Sequence, residues 1–368
     1  MRYCQRATAV VAGILFAAGV AGCSSDSTGL DSDFDAQSTA ESIDALGAVL
    51  DGNPALLHLG LAGQALEGEG VVVSVDPGLL PRLSRERLLD DYQLYRSVAA
   101  AAGSAPIFPA NWIGKTFVWD PEEEKYVLDD QLSGAPANGI RFLLYVLGDN
   151  QRPTTPLEVA GYLDLVDESG PSSTRLAVRA VDTSGPSNVT LLSYFIDGSF
   201  TLTEQEISVT FASQGFVSDG SDALNFSLLE SIGVSGALNA VTFSVSHELS
   251  APSLGVLVAL QLNGEASEGS EGVFTVRLVV EDGPDRAELN VTVEDELIDG
   301  TVSHNLQTVL LISGAADNPT FSLPDGSPPT ATDLAALDDI WHAVKDVLDF
   351  AVDLFEPLAQ LFGVDTEI

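Results

Sequence analysis

Between residues 240 and 294 apolar and polar side chains alternate, and a chain with that rhythm has to build a two-faced sheet. Val241, Phe243 and Val245 interleave with Thr242, Ser244 and Ser246. Phe274, Val276, Leu278 and Val280 do so with Thr275 and Arg277, and Leu289, Val291 and Val293 with Asn290, Thr292 and Glu294. Successive side chains of a strand point to opposite faces, so each run buries one face and wets the other, the habit of antiparallel sheet. Links as short as Glu281–Arg286 fit consecutive hairpins.

The strand pattern begins near Lys115. Lys115–Trp119 and Lys125–Leu128 flank the turn Asp120–Glu124, and Ile140–Leu147, Val159–Val166, Thr174–Val181 and Val189–Ile196 follow. Ser169-Gly170-Pro171 and Ser184-Gly185-Pro186 supply turn residues between them. The pattern predicts about thirteen strands up to residue 313. Ile140–Leu147 and Val189–Ile196 are apolar at both parities, which predicts cover on both faces.

Helices flank this region. Ser38-Thr39-Ala40-Glu41 is a capping-box pattern ahead of Ile43, Leu46 and Leu50. Asn53-Pro54, a cap and a first-turn proline, opens a second helix through Leu56, Leu57, Leu61 and Leu66. A third is predicted over Ser84–Ala102, with Leu88, Tyr92, Tyr95 and Val98 on one face. After the proline-rich stretch 323–332, Thr332 or Asp333 is expected to cap a long helix. Its apolar stripe is Leu334, Leu337, Trp341, Val344, Leu348, Ala351, Phe355 and Leu358, and Pro357 breaks its end. That stripe is expected to pack on the chain's own sheet, because its polar face is acidic where a membrane-surface helix is basic.

The expected fold is therefore mainly β with flanking helices: a long, curved antiparallel meander, half-barrel or barrel-like, since an open sheet of so many strands curls. The N-terminal helices and the C-terminal amphipathic helix pack on its apolar side. The expected divisions are 1–22 signal peptide, 23–37 tether, 38–113 helical segment, 114–322 sheet, 323–332 linker and 333–368 helix. In architecture alone this resembles the half-barrels of periplasmic lipoprotein carriers, a likeness that assigns no residue a role.

Arg2 and Arg6 precede the charge-free stretch Ala7–Gly22, which ends in Val20-Ala21-Gly22-Cys23. Sixteen apolar residues are short for a spanning helix and have the form of an export signal with small residues at its cleavage site. Val20–Cys23 resembles the lipobox of bacterial lipoproteins. The resemblance implies cleavage before Cys23, acylation of Cys23 and tethering to a membrane, with Ser24 pointing to the outer membrane of a two-membrane envelope. The other cysteine, Cys4, lies in the signal, so the exported body has no disulfide to hold it. Ser24–Gln37, polar and acidic, is expected to be a flexible tether.

The chain carries 54 acids against 15 bases, a formal −39. That field repels phosphate backbones and excludes nucleic acid as a partner class. Its simplest meaning is a self-repelling, soluble surface; attraction of a basic envelope partner is the sharper alternative. Four bases, Arg82, Arg85, Arg87 and Arg96, fall within fifteen residues, in the third predicted helix and just before it, where pairing with acidic loops is the ordinary role.

Most chemical signatures fail. Gly114-Lys115-Thr116 ends like a phosphate-binding loop, but Pro109 stands where the first glycine belongs. There is no Gly-x-Ser-x-Gly elbow. Asp31–Asp35 imitates half a calcium loop, but Ala36 and Ser42 occupy the glycine and glutamate positions. Ser218–Asp222 and Glu265–Glu271 are acidic turns, read as soluble hairpin tips ahead of weak calcium sites. The histidines His58, His247, His304 and His342 have no paired spacing. His247 and His304 continue apolar strand rows; they either face each other across a cavity or sit apart as hydrogen-bonded strand-end residues, the favoured outcome. The triplets at Asn188, Asn225 and Asn290 are taken as coincidence.

No cofactor, metal or catalytic residue is expected, and Cys23 is the one assigned site. The sequence thus points first to a non-enzymatic structural or interaction protein of the cell envelope. A carrier of an apolar ligand such as a lipid is second, and a hydrolase of an exterior polymer a distant third.

Overall fold

A computed structural model describes residues 53–66 and 107–331, apart from 171–172, 203–205, 236–239, 268–271 and 317, together with positions 46, 333–335, 337, 347, 354 and 358. Helix α1 (Pro54–Leu66) starts as its sequence dictates. The Asn53 Oδ1 accepts the Ala55 N–H at 2.9 Å, and Pro54 fills the first-turn position where a missing N–H costs nothing. Among the described residues fifteen strands follow. They are β1 (Thr116–Asp120), β2 (Lys125–Asp129), β3 (Gly139–Tyr145), β4 (Val159–Asp167), β5 (Ser173–Asp182), β6 (Val189–Leu202), β7 (Glu206–Ser218) and β8 (Ala223–Ser235). Then come β9 (Ala240–Ala251), β10 (Val256–Ser267), β11 (Val273–Asp282), β12 (Asp285–Glu294), β13 (Leu297–His304), β14 (Gln307–Ala315) and β15 (Asn318–Ser322).

From β3 to β15 each strand pairs antiparallel with the next, and the single sheet ends at β15 on one side and β2 on the other. It is curved and not closed, a half-barrel. One pairing departs from the expected meander: β1 lies parallel to β3, between β3 and β2. The connection across residues 130–138 is long enough to carry the chain back over the β1–β2 hairpin, which a two-residue turn cannot do. Backbone bonds from Gly114 N–H to Gly139 O and from Arg141 N–H to Lys115 O fix this contact.

Register converts the alternating sequence into rows. Ile196, Ser213, Leu228, His247, Leu260, Leu278, Leu289, Val302 and Leu310 are successive cross-strand partners from β6 to β14. All are buried, and they run through the middle of the apolar face. The opposite face carries a hydroxyl-rich row instead, including Ser199, Thr210, Ser231, Ser244, Asn263, Thr275 and Thr292. Small polar and β-branched residues suit a wet pleated surface.

Helix α1 packs at the β2 end. Leu59 and Ala62 are fully buried, and Asn53 donates through Nδ2 to Ser218 O at 3.0 Å. Aromatic rings fill the space beside it: Phe117 stacks on Phe142 at 4.8 Å, and Tyr126 meets Phe142 edge-on at 5.1 Å. At the C-terminal end the described helical position Leu354 reaches the same apolar face, where the Tyr194 hydroxyl donates to Leu354 O at 3.1 Å. Leu337, Val347, Leu354 and Leu358 are buried.

Two local expectations need correction. The C-terminal helix is capped by Thr330, earlier than Thr332 or Asp333. The Asp333 N–H donates to Thr330 Oγ1 at 3.3 Å while the Asp333 carboxylate accepts the Thr330 N–H at 2.7 Å, a reciprocal capping box that begins inside the expected linker. Of the expected stripe, Leu337 and Leu358 are buried, as are Val347 and Leu354, which the expectation did not include; Leu348 and Phe355 lie outside the described residues. β3 and β6 are not covered on both faces: Leu143, Leu191 and Phe195 are half-buried and Val189 is 40% exposed. Long cationic side chains give partial cover there, Arg141 lying 3.9 Å from the Tyr162 ring centroid and Arg175 3.9 Å from that of Phe195. The helices expected over residues 38–50 and 84–102 fall outside the described residues except Leu46, which is helical and buried.

Candidate functional site

Three polar side chains interrupt the apolar face near its middle: Ser213 on β7, Glu230 on β8 and His247 on β9. Their placement follows from register. Ser213 faces Leu228, and Leu228 faces His247, so all three lie in the buried row. Glu230 lies two residues beyond Leu228, between Phe211 and Val245 in the next row. That makes it a diagonal neighbour of His247, within reach of a long side chain. The His247 Nε2 stands 3.0 Å from Glu230 Oε1; the histidine side chain is 0% exposed and the glutamate 20%.

A carboxylate only accepts, so Nε2 carries the proton that is shared. The Nδ1 of His247 and the Oγ of Ser213 are both buried without a hydrogen-bond partner. Leaving such a group unpaired costs about 1–3 kcal/mol, which sets this site apart from ordinary core.

Burial changes across the site. The row through Ser213 and His247 is closed; in the row through Glu230, Val245 and Val291 are buried too, while Phe211, Leu262 and Val276 are half-buried. In the row beyond, Ile232, Phe243, Phe274 and Val293 are half-buried too. Between the rings of Phe243 and Phe274, whose centroids are 5.9 Å apart, lies Gly264. A Cβ there would stand 2.0 Å from the Phe243 ring, so only glycine lets the aromatic lie flat over the strand. Glu230 thus marks the border between a sealed core and a half-open aromatic and aliphatic floor.

The other histidines do different things. His247 and His304 sit on β9 and β13, four strand spacings or about 19 Å apart, and do not face each other. Nor is His247 a strand-end residue bonded to backbone or water; its partner is the Glu230 carboxylate, from mid-strand. His304 does lie at a strand end, 3.3 Å from Asn305 Nδ2 and 3.7 Å from Asp285. His58 donates from Nε2 to Tyr145 O at 2.9 Å, and its Nδ1 lies 3.3 Å from the Tyr126 hydroxyl, whose one proton goes to Leu143 O at 2.8 Å. Burial pushes the His58 pKa down, and the bond to Tyr145 O ties α1 to the sheet, the ordinary work of a core histidine. His342 lies outside the described residues.

Lys115 of the false phosphate loop pairs with Asp130 at 2.6 Å. At the acidic turn Ser218–Asp222, Asp219 Oδ1 accepts the N–H groups of Ser221 and Asp222 at 2.7 and 2.9 Å. Those backbone bonds, Asp222's foremost, hold the Asp219 carboxyl below its ordinary range. Among the described residues no three histidine, cysteine or acidic side chains group as a metal site, and no helix is long and apolar enough to cross a membrane. Cys23, Asp31–Asp35 and the arginines at 82, 85, 87 and 96 lie outside the described residues.

Sequence reasoning found His247 in its apolar row and missed Glu230 and Ser213. The signal for Glu230 was present: Leu224, Phe226, Leu228, Glu230, Ile232 and Val234 share one parity, with a single charge in an otherwise apolar series. Comparison of the chain with protein-family models, with curated proteins and with solved structures finds no match.

Proposed function

We propose that this chain is an exported lipoprotein of the cell envelope, acylated at Cys23, whose half-barrel serves as a non-catalytic scaffold for an interaction outside the cytoplasm. The observation that carries the reading is the order Arg2, Arg6, Ala7–Gly22, Cys23, which has the charge, length and terminal small residues of an acylated export signal. A body of one continuous sheet, with its core assembled from apolar rows, supports it, because an exported chain without disulfides depends on such a core. Two or more acyl chains make anchoring firm, at about 0.8 kcal/mol per buried methylene. Cys23→Ala is expected to move the protein from the membrane fraction to the soluble one. Unchanged partitioning overturns the anchor.

A second reading, that the half-barrel carries an apolar ligand such as a lipid, is favoured by the half-open floor of Phe211, Ile232, Phe243, Leu262 and Phe274. Large apolar side chains left partly open along a face otherwise buried are where an apolar guest gains most from leaving water. Native mass spectrometry of protein taken from its own host is expected to show a co-purified lipid. A ligand-free mass spectrum from gently extracted protein contradicts this second reading.

A further inference from the structure

We propose that Glu230 and His247 form the headgroup site of a single-chain amphiphile whose headgroup donates hydrogen bonds, with its tail lying on the floor of Phe211, Leu262, Phe243 and Phe274. The inference rests on the apolar-ligand reading and adds to it the chemistry of the ligand's polar end.

Three observations converge on a donor headgroup. First, the polar atoms at the border are acceptors. The Glu230 carboxylate has lone pairs to spare beyond its bond to His247, and with the shared proton on Nε2 the buried Nδ1 is an acceptor too. Second, Glu230 is the member of the cluster that solvent reaches, and it stands between the sealed row of His247 and the half-buried row of Ile232, Phe243 and Phe274, with half-buried Phe211 facing it on one side and buried Val245 on the other. A guest lying on the floor therefore meets a carboxylate where the floor ends. Third, the net charge of −39 favours a cationic or neutral head over an anionic one. Ser213 and the His247 Nδ1, both unpartnered behind Glu230, give that end of the site further hydrogen-bonding capacity. Apolar residues at all three positions would have made a better core, since unpaired buried polar atoms destabilise one.

The test is calorimetric titration of the full chain carrying Cys23→Ala, which leaves the sheet untouched and removes the protein's own acyl chains. Dodecylamine, dodecanol and dodecanoate are compared below their aggregation concentrations. The proposal expects dodecylamine to bind tightest, dodecanol next and dodecanoate at least about tenfold more weakly than the amine, the scale of one charge-assisted hydrogen bond. Affinity for the amine should rise about fourfold with each added methylene, because the tail lies on apolar side chains. Glu230→Gln should cut the preference for amine over carboxylate by about tenfold while leaving the methylene increment unchanged. If that variant does not fold, the headgroup ranking and methylene series on the Glu230 protein still decide the matter. Equal binding of all three amphiphiles overturns the headgroup site and leaves the apolar-ligand reading standing. Binding of none overturns both.

Discussion

The imidazole of His247, wholly buried, holds the carboxylate of Glu230 at 3.0 Å on a face whose neighbouring positions are leucine, valine and phenylalanine. A hydrogen-bonded carboxylate in such surroundings gives up hydration that one imidazole N–H only partly restores, so the pair is a poor way to stabilise a core.

The energetic consequence is asymmetric. Glu230→Ala strips His247 of its partner and should destabilise the protein by about 1–3 kcal/mol, the penalty of an orphaned buried donor. The double variant Glu230→Leu/His247→Leu removes both polar groups together and should return to within about 1 kcal/mol of the starting stability. Urea unfolding of the two variants checks this. A double variant as unstable as the single one would mean that the pair itself holds the sheet together.

The sheet was legible because its alternation is strict: Val241 to Val245 and Phe274 to Val280 each name their face. The start of α1 was legible for an equally local reason, Asn53 before Pro54. What escaped were relationships set by register. Whether Ser213 and His247 share a row depends on both facing Leu228, and one residue of slip would send either to the other face. The parallel β1–β3 contact escaped as well, since nothing local to Thr116–Asp120 distinguishes a parallel neighbour from an antiparallel one. The shift of the helix cap to Thr330 came from a competition between near-equivalent residues. Thr330 and Asp333 satisfy each other across the first turn.

On the polar face, Glu288 accepts from Arg277 Nε at 2.9 Å, from Arg286 at 3.0 Å and from Asn290 at 2.9 Å. These bonds, that of Arg277 foremost, hold its pKa down at about 2 against an ordinary 4.5. Between those values the unfolded chain binds the proton and the folded one does not, so the stabilisation is present above pH 4.5 and is lost as pH falls toward 2. Arg277 and Arg286 are 42% and 32% exposed, and solvent screening keeps the contribution to about 1 kcal/mol. Glu288→Gln should therefore be less stable by about that amount at pH 7, and the gap should close by pH 2. Urea midpoints of both proteins across this range test the sign. A gap that widens in acid contradicts it.

The hairpin between β13 and β14 turns on Asn305 and Leu306, both with positive φ, +48° and +69°. Two such residues in succession make the tight turn that matches strand twist, and the sequence best suited to it is Asn-Gly. Asn305 has a reason to be there: its Oδ1 accepts the Arg286 N–H at 3.0 Å and its Nδ2 donates to Asp285 at 3.2 Å, pinning the turn to the β11–β12 hairpin. Leu306 is 84% exposed, and its Cβ crowds the carbonyl that a left-handed backbone brings near. Glycine removes a strain of about 1–2 kcal/mol and loses about 0.5–1 kcal/mol to its greater freedom when unfolded. Leu306→Gly should thus stabilise the protein by about 0.5–1 kcal/mol, a rise in Tm of about 1–3 °C. Leu306→Val, branched at Cβ and worse suited to positive φ, should lower it. Thermal melts of the two variants, read against the unaltered protein, should fall on opposite sides of it.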